Sequence, residues 1–380
     1  MTVLALRGSL PSQPSARPPR CHRGGPRLDV DLSAVAANVE LLARRATGDL
    51  MAVVKADGFG HGAGAMARTA LAHGATRLGV TSLAEAVALR VEGIDAPLLS
   101  WLNPLDADFA AAAAHDIEVA VPSRGHLEAV ARTPGAAVHL HLDTGMARDG
   151  AAPAEWADLC RAARRAERQG LLRVVGVMGH LACADVPDDP ANAIGRARFA
   201  WGVETARATG LRPTHRHLAA TAATLTDPLS HHTLCRVGAG LVGIDPSGST
   251  RLHPALTLTA PLVSVRRVHA GTRVGYGHTW TAPTTTELGL LPLGYADGLP
   301  RAASGRAEVL VRGGRRPLVG RISMDMAVVD LGREGAEAGD LVTVFGPGRH
   351  GEPTVAEWAA WSDTIEHEIV TGIRMSRGTR

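Results

Sequence analysis

Between about residue 30 and residue 255 the chain alternates short apolar, β-branched runs with longer Ala-rich stretches of helical period. LMAVVK precedes a helix expected over 62–73, RLGVTS one over 84–91, APLLSWL one over 105–115, and IEVAVPS one that runs to Thr133. VHLHLD leads into 154–169, VVGVMGHLA into 192–210, HRHLAA into a short helix near Thr221, and LCRVGAG closes the series. Eight strand-plus-helix units over roughly 220 residues predict a (β/α)8 barrel of the TIM type, with a doubly wound sheet as the alternative. Beyond about residue 256 the helical period stops. Runs such as LTLTAPLVSVRRV, ELGLLPLGYA, AEVLVRGGRRPLV, MAVVDL and DLVTVFG, separated by Gly and Pro turns, predict a C-terminal all-β domain over 256–380. The barrel is expected over 27–255, with 27–37 packing against the C-terminal domain. Residues 1–26, rich in Pro, Ser, Gly and Arg, have no apolar period and are expected to form a disordered leader. Ser82 followed by Glu85 spells a capping box, a structural signal that a helix starts there.

Composition narrows the class. With 380 residues, 45% hydrophobic and 20% charged, the chain is globular and long enough for two domains. Its 40 basic and 37 acidic residues are interspersed, which argues against a nucleic-acid or membrane partner. No apolar run is long enough to span a bilayer, and the apolar stretch at the N-terminus is too short for a secretory signal. A cytoplasmic protein is expected. Cys21, Cys160, Cys183 and Cys235 lack the spacing of a zinc site, so reduced thiols and no metal are expected.

One count bears on chemistry. Of the 40 basic residues only Lys55 is a lysine. Where composition has driven lysine to arginine throughout, a retained lysine marks a place where a guanidinium fails, because only the amine sheds its proton and becomes a nucleophile or base. Lys55 ends the first apolar strand, and the C-terminal strand ends of a parallel barrel carry the reacting groups. An amine there is able to condense with an aldehyde such as that of pyridoxal phosphate. The glycines of ADGFGHGAG lack the acidic residue that a dinucleotide site needs on the second strand. His180 and Arg236 sit at further strand ends, and Gly238 and Ala239 offer backbone donors to an anion. His139 and His141 alternate on one strand and, like His231 and His232, read as core residues rather than metal ligands.

In order along the chain, AVVKADGFGHG, HLDTGMARDG, GHLACAD, HLAATAATL, RVGAGLVGID, VGYGHTWTA, PLGYADGLPR, GRISMDM and TIEHEIVTGIRMSR resemble alanine racemase, a fold-type III pyridoxal-phosphate family. The resemblance covers roughly residues 27–380 and implies a barrel plus β domain, pyridoxal 5'-phosphate as cofactor, an amino-acid substrate, and a head-to-tail homodimer with shared sites. It implies racemisation of L- and D-alanine by two bases: Lys55, which also holds the cofactor, and Tyr276 from the other subunit. Arg236 would face the pyridine nitrogen, with His180 orienting it. Thr221, Gly238, Ala239 and His367 would serve the phosphate. Arg148 and the Met324 amide would hold the substrate carboxylate, and Tyr295 would line the entrance.

Four positions depart from the family pattern. Phe59 and His367 replace tyrosines at the phosphate, Ala220 replaces an asparagine, and His141 replaces a lysine that is often carbamylated, so that nothing anionic is expected to brace Arg148 from that side. Weaker cofactor binding follows as an expectation, and an enzyme acting on a different amino acid in secondary metabolism stands as the alternative to alanine. A decarboxylase is disfavoured because such enzymes normally place a carboxylate where Arg236 stands. A non-catalytic pyridoxal-phosphate protein is disfavoured because those of this fold usually lack the β domain.

Overall fold

The computed structural model describes residues 24–333, 335–374 and 377–379. The leader expected over 1–26 lies outside the described residues as far as residue 23, as does Cys21. The first described strand, β1 (Arg27–Val30), does not enter the barrel. It pairs antiparallel with Leu256–Pro261 of the C-terminal sheet, and the chain then turns into the helix Leu32–Arg45, capped by the Asp31 carboxylate accepting from the Ser33 and Ala34 amides.

Eight parallel strands follow: β2 (Asp49–Val53), β3 (Arg77–Val80), β4 (Leu98–Ser100), β5 (Ile117–Val121), β6 (Ala136–His141), β7 (Leu172–Met178), β8 (His215–His217) and β9 (Leu234–Val237). Neighbours in sequence are neighbours in the sheet, and β9 returns to pair with β2. That order excludes the doubly wound alternative. Between β8 and β9 the seam is joined by single backbone bonds, Thr233 N–H to Arg216 O at 3.1 Å and Arg236 N–H to Ala219 O at 3.0 Å. Buried Asn38 clamps the first helix to the chain that follows β9: its amide donates to Leu241 O and His253 O, and its oxygen accepts from the His253 amide.

Helices cover the barrel with their apolar faces inward. The expected helix over 105–115 is only Phe109–Ala114, because Pro104 and the Asp108 cap delay its start. Inside the barrel a small apolar cluster (Met51, Leu99, Ala120, Met178, Leu234) shares the space with buried histidines and Arg236.

The C-terminal domain is built on a nine-stranded sheet that includes β1 and Arg377–Thr379. Among the described residues no α-helix occurs between residue 256 and residue 354, where the helical pieces are three-residue 3-10 turns. Two seven-residue helices, Val355–Trp361 and Glu366–Gly372, then follow. The first is opened by a Thr354–Glu357 capping box and anchors Trp358, whose ring N–H reaches Val344 O at 2.8 Å. The second carries the chain back over the mouth of the barrel. No helix among the described residues is long and apolar enough to cross a membrane.

Candidate active site

Lys55 is separated from the end of β2 by Val54 alone and opens a turn of unusual handedness. Ala56, Asp57 and Gly58 all take left-handed backbone angles, as does Phe59. For residues with a side chain this costs about 1–2 kcal/mol each, so the turn must be held from outside. Glu85 does much of that: its Oε1 accepts the Ala56 amide at 2.7 Å while Oε2 accepts the Thr81 and Ser82 amides. Asp57 Oδ1 accepts the Ala63 amide at 2.8 Å. The capping-box glutamate, read from sequence as purely structural, therefore also fixes the residue after Lys55 and sets its carboxylate in the field of the ammonium. Burial, aided by Arg148, holds the Lys55 amine below its ordinary value, against the pull of Glu85.

The loop after β6 carries Arg148. Asp143 Oδ1 gathers the amides of Gly145, Met146 and Ala147 at 2.8–3.1 Å, which winds the loop back on itself. Thr144 ties this loop to the end of β7, donating its hydroxyl to His180 O and accepting the His180 amide at 3.1 Å. His141 stands beside Asp149, with Nδ1 3.4 Å from Oδ2, too long for a strong hydrogen bond but close enough for charge to matter. Asp149 is partly buried, which works against its charge, but His141 and the Gly150 amide hold its carboxyl below the usual range. A carboxylate thus stands beside His141, but among the described residues no hydrogen bond or ion pair joins Asp149 to Arg148.

Arg236, on β9, is buried and held through both of its Nη atoms. It donates to His217 O at 2.8 Å, His217 Nδ1 at 3.0 Å, Gly179 O at 2.7 Å, His180 Nδ1 at 3.2 Å and Leu218 O at 3.3 Å. Each of these acceptors is neutral, so desolvation is not offset by a contacting carboxylate, and burial lowers the guanidinium to about 10. Because a guanidinium only donates, His180 Nδ1 accepts and the ring is neutral. Burial, then Arg236 and Arg148, lower the imidazolium to about 3. His217 was not singled out by the sequence; one histidine at a strand end carries no signal that distinguishes it from a core residue.

Thr221 starts the short helix Thr221–Thr226, and its Oγ1 accepts the Gly238 and Gly240 amides, both at 3.2 Å. Gly238, expected to hold its amide toward an anion, gives it to Thr221. Ala239 opens the following 3-10 turn, where the first N–H has no partner inside the turn. The Thr221 hydroxyl hydrogen remains available to a ligand. His367, on Glu366–Gly372, lies against the Phe59 ring at 6.0 Å between centroids, and burial followed by Lys55 keeps it below its ordinary value.

The remaining three predicted residues sit together on the C-terminal domain. The Tyr295 and Ala296 amides donate to Ser323 O and Met324 O, and the Tyr276–His278 turn packs on Arg321 through Gly275 and Gly277. Tyr276 is 71% exposed, Met324 54% and Tyr295 42%. Among the described residues no hydrogen bond or ring contact joins Tyr276 to Lys55, Arg148 or Arg236. The fold thus gathers Lys55, Arg148, His180, Thr221, Arg236, Ala239 and His367 at the barrel mouth and presents Tyr276, Tyr295 and Met324 on an outward ledge.

The donor set fits pyridoxal phosphate. Arg148 and Arg236 both disfavour the charge on Lys55, and Arg148 disfavours that on Arg236, which calls for an anionic ligand. One of the three is an amine that burial holds below its ordinary value, a group suited to condense with a carbonyl.

Comparison with known proteins agrees with this chemistry. Sequence models of the alanine racemase N-terminal and C-terminal domains match residues 30–246 and 255–379. Alanine racemases of Mycolicibacterium smegmatis and Thermobifida fusca are 46% and 45% identical, over 91% and 90% of this chain and 92% and 94% of theirs. Crystal structures of alanine racemase from the D-cycloserine producer Streptomyces lavendulae and of the enzyme from Streptomyces coelicolor superpose with TM-scores of 0.91 and 0.90. Their identities are 41% and 45%, over 94% of this chain and 97% of each of theirs. With both domain models matched in order over a barrel whose strand ends carry this donor set, the chain belongs to the alanine racemase family of pyridoxal-phosphate-dependent isomerases.

Proposed function

We propose that this protein interconverts L- and D-alanine with pyridoxal 5'-phosphate, using Lys55 and Tyr276 of a second copy as bases on opposite faces of the substrate α-carbon. The observation that carries the reading is the convergence on one barrel mouth of an amine held below its ordinary value by burial, a buried guanidinium with no carboxylate against it, and Arg148. Pyridoxal phosphate bound there supplies an electron-withdrawing ring that acidifies the bond from the α-carbon to hydrogen.

Each protein group then has a task that its surroundings suit. Lys55 holds the cofactor and, when its amine is neutral, takes or returns a proton on its own face. Thr221 offers a hydroxyl and Ala239 an amide to the phosphate, joined by His367 as a neutral donor. Arg236 faces the pyridine nitrogen; having no acceptor and keeping its charge at neutral pH, it does not hand over a proton, which limits how far the ring stores negative charge. Neutral His180 holds Arg236 in place. Arg148, helped by the Met324 amide, takes the substrate carboxylate, and Tyr295 borders the entrance.

Inversion needs a second acid/base on the opposite face. Tyr276 is one of two tyrosines in the chain, and its exposure supports delivery to the barrel of another copy in a homodimer. Tyr276→Phe is expected to keep the cofactor absorbance while alanine racemisation falls by about 10³-fold, within the range of a lost general acid/base. Solvent exchange at the α-carbon of one enantiomer should outlast racemisation in heavy water. Normal turnover by this variant would defeat the two-base reading. A panel of amino acids in the same exchange assay tests alanine against other substrates.

A further inference from the structure

The buried guanidinium of Arg236 touches no carboxylate, yet a hydrogen-bonded chain leads from it to one. Arg236 donates to His217 Nδ1 at 3.0 Å, His217 Nε2 lies 2.8 Å from His139 Nδ1, and His139 Nε2 lies 2.8 Å from Glu118 Oε2. Arg77 bonds the same Glu118 oxygen. The two ends fix every proton between them. A guanidinium only donates, so His217 Nδ1 accepts and its hydrogen is on Nε2; His139 Nδ1 must then accept, and its own hydrogen, on Nε2, goes to a carboxylate that only accepts. All three links are filled, in one direction, with both imidazoles neutral.

The barrel is shaped around this chain. Glu118 is the second residue of β5, toward the mouth opposite Lys55, while His217 ends β8 near the active mouth, so the chain runs along the barrel interior. His139 and His217 are completely buried. The β6–β7 register slips between Val138 and His139, and a Cβ on Gly176 of β7 would meet His139 Nδ1 at 2.0 Å. Strand register and a missing side chain both make room for one ring in one orientation.

We propose that Glu118 is a positioning residue for Arg236, acting through His139 and His217 to fix the guanidinium and to balance its buried charge. A buried cation without an anion is costly, and polarisation passed along neutral hydrogen-bond donors is the available compensation. Burial works against charge on Glu118, but His139 and Arg77 hold it ionised, at about 2. Burial likewise keeps His139 and His217 neutral.

The kinetic half of this inference rests on the proposed role of Arg236; the proton positions do not. In ¹⁵N-labelled wild-type holoenzyme, both histidines are expected to show protonated Nε2 and bare Nδ1, unchanged from about pH 6 to 9. Glu118→Gln keeps an acceptor but removes the charge: the His217 Nδ1 resonance should shift and kcat for alanine fall about tenfold, with KM within about twofold. Arg77→Gln removes one partner of the Glu118 carboxylate but leaves its charge and all three links of the chain in place, so kcat should stay within about twofold of wild type, and Glu118→Asp, which keeps the charge, should retain more than about a third. A hydrogen on Nδ1 of either histidine overturns the proposal, as do equal effects of the Gln substitutions at 118 and 77. The wild-type proton positions decide the chain even if Glu118→Gln does not fold. Should wild-type holoenzyme racemise no alanine, the reading of the site fails while the ¹⁵N measurement still decides the chain.

Discussion

Glu85 shows how much one carboxylate does beside Lys55. Its two oxygens accept three backbone amides, those of Ala56, Thr81 and Ser82, and its charge opposes the depression of the Lys55 amine caused by burial and Arg148. Gln at this position would accept on one side only and turn an NH2 group toward amides that also donate. Glu85→Gln is expected to lower unfolding stability by about 1–2 kcal/mol, from the loss of charge-assisted hydrogen bonds that are exposed or only partly buried, read from the urea midpoint. Because the Ala56 amide loses its anchor next to Lys55, cofactor retention on dilution should fall in parallel. Unchanged retention at the lower midpoint would restrict Glu85 to its capping role. The sequence identified Glu85 as a cap because the Ser-x-x-Glu spacing is local, but its second bond spans 29 residues to a turn whose handedness no short motif announces.

At the scale of elements, the site depends on a contact between segments more than three hundred residues apart in the chain. The left-handed turn after Lys55 lies against Glu366–Gly372, and a Cβ on Gly60 would stand 2.4 Å from Val370 O. Gly60 also has φ of +79°, so Gly60→Ala adds both backbone strain and a collision with main chain. Gly93, with φ of +78° and open space around it, isolates the strain. We expect Gly93→Ala to cost about 1 kcal/mol and Gly60→Ala at least about twice that, with weaker cofactor binding only in the second, where the helix carrying His367 is displaced. Equal losses in the two variants would mean that the turn and the helix do not bear on each other. The barrel was legible from alternating strand and helix patterns, and Lys55 from being alone among arginines. The return of His367 to Phe59 was not, since nothing in a local pattern says which loop a distant helix covers. Nor was the link from His139 to His217, because alternate histidines on a buried strand look the same whether they are isolated or bonded in a chain. The two C-terminal helices escaped the β reading because each is only seven residues long, too short for a periodic signal.

At the scale of the molecule, the barrel mouth holds every proposed group except those on the ledge. Tyr276 is largely exposed and shares no hydrogen bond or ring contact with Lys55 among the described residues, whereas both bases must reach one α-carbon. A head-to-tail pair of copies resolves this, since the ledge of each would face the other's barrel. The arrangement makes a quantitative prediction. Lys55→Ala and Tyr276→Phe homodimers are each inactive, but a mixed dimer combines Lys55 from the second variant with Tyr276 from the first in one intact site, and places both defects in the other. Random reassociation makes about half of the dimers mixed, each with one of two sites restored, so activity should recover to about a quarter of wild type. Were both bases supplied by a single chain, every site in the mixture would lack one of them and no activity would return. Measuring racemisation after co-refolding equal amounts of the two variants with pyridoxal phosphate distinguishes these outcomes, and the separately refolded variants give the baseline.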